Sequence, residues 1–167
     1  LSPATRLVMN STRRLLFLLS TVLAGSAACT SVEPGPEGVS TIRTTTSFGF
    51  CLGYCRTILE VTAEGMVFIE EPTRQADLPR VVRTAPISAE EWRSLVAAVD
   101  RAALEALPPT VGCPDCADGG AESVEVIGRD WRDEVTFEFN AALPQLQPLL
   151  SRLRPLRERF PRTDATP

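Results

Sequence analysis

RTILEVT-AEG-MVFIE, Arg56 to Glu70, is the stretch that decides the fold. Two runs rich in β-branched and large apolar residues, Arg56–Thr62 and Met66–Glu70, flank the short connection Ala63-Glu64-Gly65. Strand-forming composition on both sides of a short Gly-containing link predicts a β-hairpin. Just upstream, Thr41 to Phe50 (TIRTTTSFGF) is β-branched and aromatic and predicts a further strand. Downstream, a polar, proline-bearing loop (Glu71 to Arg80) leads to Val81-Val82-Arg83, a candidate fourth strand.

Moving outward, Ser88 and Glu91 form an S-x-x-E capping box ahead of Trp92, Leu95, Val96, Val99 and Ala103. That recurrence at three and four residues predicts one amphipathic helix, with Arg93, Asp100 and Arg101 facing out and Pro108-Pro109 stopping it. A loop, Thr110 to Gly120 (TVGCPDCADGG), precedes a second hairpin. In it Val124 and Val126 alternate with Ser123 and Glu125, and Val135, Phe137 and Phe139 alternate with Thr136 and Glu138, about the tip Gly128–Asp133. Leu146, Leu149, Leu150, Leu153 and Leu156 then mark a second amphipathic helix, expected to kink or end near Pro155. The expectation is an α+β domain over 41–160: an antiparallel sheet of about 4–6 strands built from two hairpins, one face covered by two helices, with 161–167 a disordered tail.

The front of the chain reads as an address. Arg13 and Arg14 precede a ten-residue apolar run, Leu15 to Ala24, and small residues lead to Cys29. Ten residues are half of the roughly 20 that a membrane-crossing helix needs, so 1–28 reads as a cleaved signal, with translation expected to start at Met9. Ala27-Ala28-Cys29 followed by a Gly/Pro-bearing tether (residues 29–40) fits a bacterial lipoprotein signal with lipid on Cys29. Ser26-Ala27-Ala28 also fits ordinary cleavage and soluble secretion into the periplasm or medium. Cysteine parity favours lipid, because removing Cys29 from five leaves two close pairs.

Composition excludes much chemistry. All 17 basic residues are arginine, and without His or Lys there is no Ser-His or Cys-His couple, no histidine metal ligand and no Schiff base. Beyond the signal the chain carries 14 basic against 21 acidic residues, net −7, which disfavours nucleic acid as a partner. The basic exception, Arg152, Arg154, Arg157, Arg159 and Arg162, reads as a solvated helix face or as a patch for an anionic partner. Among the acids no spacing singles out a pair for glycoside hydrolysis, and Asp115, Asp118 and Glu122 lack the pattern of a calcium loop.

Cys51 and Cys55 (C-x3-C) and Cys113 and Cys116 (C-x2-C) both fall in turns. Structural disulfides suit an exported domain, with three connectivities open. A four-thiolate zinc site is the alternative that would add a cofactor, and a thiol-redox centre at Cys113-Pro114-Asp115-Cys116 is the third reading. Trp131, with Arg129 and Arg132 beside it, has the composition of an interface anchor, unless the tip folds back and the indole covers the sheet edge or the terminal helix.

The Gly/Cys turn Gly49-Phe50-Cys51-Leu52-Gly53-Tyr54, the Glu64-Gly65 hairpin, the Ser88-Ala89-Glu90-Glu91 helix start, the Asp-bearing loop and the Leu-rich last helix together resemble small bacterial envelope domains of unknown function. More distantly, over Thr41 to Leu156, the chain is similar to the emfourin family, small protein inhibitors of thermolysin-type metalloproteases, whose Gly-rich turn matches Ser47 to Gly53. Those inhibitors do not need this cysteine set, and no inhibitory residue carries over. Together with the signal and Cys29, the expectation is an extracytoplasmic, lipid-held domain of non-enzymatic character that binds a macromolecule, the alternative being a tetracysteine zinc or thiol-redox envelope protein in which an enzyme activity would show.

Overall fold

The Arg56–Glu70 stretch folds as the hairpin its composition predicts. The computed structural model describes residues 38–72 and 77–163. In chain order its elements are β1 (Thr41–Ser47), β2 (Tyr54–Thr62), β3 (Gly65–Pro72), β4 (Val81–Ala85), α1 (Ala89–Val96), α2 (Arg101–Glu105), β5 (Thr110–Val111), β6 (Ala121–Ile127), β7 (Arg132–Glu138) and α3 (Gln147–Glu158). Seven strands form one sheet in the order β4-β3-β2-β1-β6-β7-β5. Every pairing is antiparallel except β5 with β7.

The sheet is therefore larger than the four to six strands expected, and mixed. The addition is β5, two residues after Pro108-Pro109, with Thr110 opposite Thr136 and Val111 opposite Phe137. Two residues are too few to display a period, so their sequence carries no strand signal.

Three rows of side chains cross the covered face. Met66, Val61, Ile42 and Val126 form one row, and Phe68, Leu59, Thr44, Val124 and Val135 the next. The third row is largely polar: Glu70, Thr57, Thr46 and Glu122, ending at Phe137. Trp92, Leu95 and Val96 of α1, Leu104 of α2, and Leu149, Leu150, Leu153 and Leu156 of α3 pack on these rows as a single core. The opposite face is charged: Arg43 of β1 bonds Glu60 of β2 at 2.7 Å and Glu125 of β6 at 2.6 Å, and Arg132 of β7 also meets Glu125. The bond to Glu60 leads in holding the Arg43 guanidinium above its ordinary pKa, against the opposing effect of its partial burial.

Several local readings change. The capping box is present in both directions, with Ser88 Oγ accepting from Glu91 N at 3.1 Å and Glu91 Oε2 accepting from Ser88 N at 2.9 Å. The expected single helix nevertheless breaks after Val96, because Asp100, counted as an outward-facing helical residue, accepts from Ala103 N at 3.0 Å and caps a second short helix. Pro155 does not end α3, which runs on to Glu158 with the proline exposed. The boundaries also move outward. Val39, counted in the tether, is buried in the core, and Ser40 N donates to Ile127 O at 2.9 Å. Thr163, counted in the disordered tail, is fastened to Glu70 by its backbone N–H and hydroxyl, at 3.0 and 2.6 Å. The expected signal, Met9 and Cys29 lie outside the described residues.

Candidate functional site

Antiparallel pairing brings the end of β1 and the starts of β2 and β6 to one end of the sheet, so both cysteine loops lie together there. The four cysteines pair locally, Cys51 with Cys55 and Cys113 with Cys116, with Cα atoms 5.6 and 5.5 Å apart. This selects one of the three connectivities open from sequence. Sulfurs bonded in this way are not thiolates, so a zinc tetrathiolate would require both bonds to be reduced, whereas a reactive dithiol at Cys113 and Cys116 would require only its own bond to open.

Asp115 joins the two loops. Its Oδ1 accepts from Gly49 N in the first loop at 3.0 Å and from Gly120 N in its own at 3.2 Å. The second loop turns through left-handed backbone at Asp115, Ala117 and Asp118, with φ of 60°, 52° and 59°. Asp tolerates that region and Ala does not favour it, so the surroundings must hold Ala117 there. Gly120, at φ +84°, has the Phe48 ring where a Cβ would stand, and Phe48 packs edge-on against Phe139 at 4.9 Å. Glu138 Oε1 closes the loop by accepting from Cys113 N at 3.1 Å.

On this braced tip Phe50 and Leu52 are 75% and 74% exposed. They flank Cys51, whose disulfide fixes the turn that displays them. The tip lies at the far end of β1 from Gly38, where the described chain begins. Seven residues of strand set the two ends about 20 Å apart.

Trp131, Arg129 and Arg132 sit at the opposite end. The Trp131 indole lies over Gly128, filling the place of its missing Cβ, and the Arg101 guanidinium stacks on the ring at 4.7 Å. The indole is half-buried against the core rather than displayed. Arg132 is committed to Glu125, while Arg129 borders an open groove with Gly38, Asp130 and Glu105. The structure does not bring these three residues together with the cysteine tip.

The C-terminal arginine run divides: Arg152, Arg159 and Arg162 are exposed, as a solvated face would have them, and the other two are not. Arg154 and Arg157 turn inward to Glu122, whose side chain is fully buried, at 2.8 and 3.1 Å. Arg159 meets Glu91, and Arg162 donates to Tyr54 O at 3.3 Å. The anion that Arg154 and Arg157 serve is internal. Sequence spacing could not reveal it, because Glu122 looks like any polar residue at the start of a strand. Glu70, also fully buried, receives Arg83 at 2.5 Å. Burial pushes the Glu70 carboxyl up, but Arg83 and Thr163 outweigh it and hold the pKa below its ordinary value. Glu70 and Glu122 are three strands apart in one row, about 14 Å at the usual strand spacing. That exceeds the roughly 5–9.5 Å of a glycosidase pair.

No family model matches this chain, and no curated protein matches it. Among the described residues no helix is long and apolar enough to cross a membrane.

Proposed function

We propose that this chain is an exported, non-enzymatic binding domain, held at the membrane by lipid on Cys29, that engages another protein through its disulfide-braced tip. The observation that carries the reading is the exposure of Phe50 and Leu52 on a loop fixed by Cys51–Cys55 and by Asp115. Large apolar side chains left in water at the apex of a rigid loop are candidate anchors for a partner's pocket. Rigidity matters because a pre-ordered loop loses little entropy on binding. The two disulfides are compatible with an extracytoplasmic location. The emfourin resemblance supports a more specific form, inhibition of a thermolysin-type metalloprotease, and the tip contains the very turn on which that resemblance rests.

The test is inhibition of a thermolysin-type metalloprotease by the mature chain, with F50S/L52S as the variant. Burial of a Phe or Leu side chain contributes about 1.5–3 kcal/mol, so losing both should weaken inhibition about a hundredfold or more. A variant as potent as the wild type, or a wild type that does not inhibit, would overturn the inhibitor reading. Incorporation of labelled fatty acid that C29S abolishes is expected from the anchor, and an acyl-free wild type would refute it.

A further inference from the structure

A second site lies beneath the last turn of α3. There a partly open cavity of about 280 Å³ is lined by Thr46 and Thr57 on the polar row of the sheet, by Phe68, Phe139 and Phe160, and by Arg157, Glu158 and Arg162. Phe68 and Phe160 stack at 5.0 Å with an interplanar angle of 8°, and Arg157 lies over the Phe139 ring at 5.7 Å. The walls are thus flat and apolar.

The polar groups around it are mostly donors with capacity to spare. Thr46 and Thr57, both buried, share one hydroxyl–hydroxyl bond of 2.6 Å. Two hydroxyls bring two protons, the mutual bond uses one, and the other has no acceptor among the described residues. Arg157 gives Nη1 to Glu122 and Arg162 gives Nη2 to Tyr54 O, which leaves further guanidinium N–H groups on each. Glu158, exposed at the rim, is the single carboxylate in the lining.

We propose that this cavity binds a small organic acid, its carboxylate answering the Arg157, Arg162 and threonine donors and its apolar body lying among the three phenylalanine rings. The volume falls just below the roughly 300 to 1,000 Å³ of ordinary ligand pockets, so the ligand class is a single-ring or branched aliphatic acid. This site is independent of the tip and does not rest on the protein-binding reading.

The experiment titrates the mature chain with phenylacetate, phenylacetamide and inorganic phosphate, following the methyl resonances of Thr46 and Thr57 by NMR. Phenylacetate should give saturable shifts at both methyls. Phenylacetamide should bind at least about tenfold more weakly, because it lacks the charge that strengthens the arginine bonds. Phosphate should leave the methyls unmoved. T57V should weaken phenylacetate selectively, and T57S should retain it. Absence of shifts with phenylacetate at millimolar concentration, equal binding of the amide, or equal binding of phosphate would each overturn the proposal, and none of these readouts depends on a variant folding.

Discussion

Glu122→Gln tests whether the α3 arginines are structural. The wild-type carboxylate accepts from Arg154 Nη2 at 2.8 Å, from Arg154 Nε at 3.2 Å, from Arg157 Nη1 at 3.1 Å and from Asn140 N at 3.3 Å. The amide keeps the shape, retains one acceptor oxygen, and sets an NH2 against guanidinium donors. Breaking a buried ion pair from one side costs about 3–5 kcal/mol. The arginine side chains keep 19% and 14% of their exposure, and Arg154 keeps its bond to Ala141 O at 2.9 Å. The loss should therefore lie at the lower end, about 3 kcal/mol. For a domain of this size that corresponds to a fall in Tm of about 10–15 °C. Urea unfolding followed by circular dichroism reads it directly, and an unchanged m-value would confirm that the same structure is unfolding. Combining E122Q with R154M should recover part of the loss, because the second change removes the cation the first leaves unpaired. A single variant within about 1 kcal/mol of wild type, with the double variant additive, would refute the pairing as a stabilising feature.

Three further outcomes follow from other parts of the molecule. C51S/C55S opens a loop of only about five residues, so the chain-entropy cost should be about 2 kcal/mol, against about 4 for a bond joining the two cysteine loops, and urea midpoints with and without reductant distinguish these. The Glu91 carboxyl is held at about 2 by the Ser88 N–H first and then by Arg159. Its depressed pKa contributes stability that is present above the ordinary value near 4.5 and is lost as pH falls toward 2, so E91Q should flatten the urea midpoint across that window, leaving the slope due to Glu70 and Glu64, whose pKa values are displaced in the same direction. Thr44 Oγ1 is buried without a hydrogen-bond partner among the described residues, so T44V should raise stability by about 1 kcal/mol, and a loss of that size would show that the hydroxyl is satisfied.

The parts of the fold that a period could announce were legible. The alternation of Val124, Val126, Val135 and Phe137 gave the covered face of the second hairpin, and the Trp92 and Leu149 stripes gave the helices above it. Apart from β5, too short to show a period, what escaped was set by single contacts, some local and some between distant residues. Asp100 splits the first helix through one side-chain bond, and Thr163 extends the domain by bonding a carboxylate 93 residues away. The candidate site was half legible. Its cysteines and glycines stood out, whereas the exposure of Phe50 and Leu52 depends on where the turn points, and Asp115 acts through the N–H of Gly49, 66 residues away. The Thr46–Thr57 pair carried no signal, since threonine is an ordinary strand residue.

β3 has a further implication for how the sheet chooses its alignment. Met66, Phe68 and Glu70 face the core, yet Val67, Ile69 and Glu71 would present nearly the same sequence of apolar, apolar and acid if the strand slipped by one residue. Hydropathy alone barely separates the two registers, although such a slip exchanges the faces of the whole strand. Discrimination falls on the two-residue connection Ala63-Glu64, which sets Thr62 opposite Gly65 and leaves no slack for the alternative. One inserted residue there would make the inverted strand a competitor, and mispaired chains, rather than a loosened native state, would be the product.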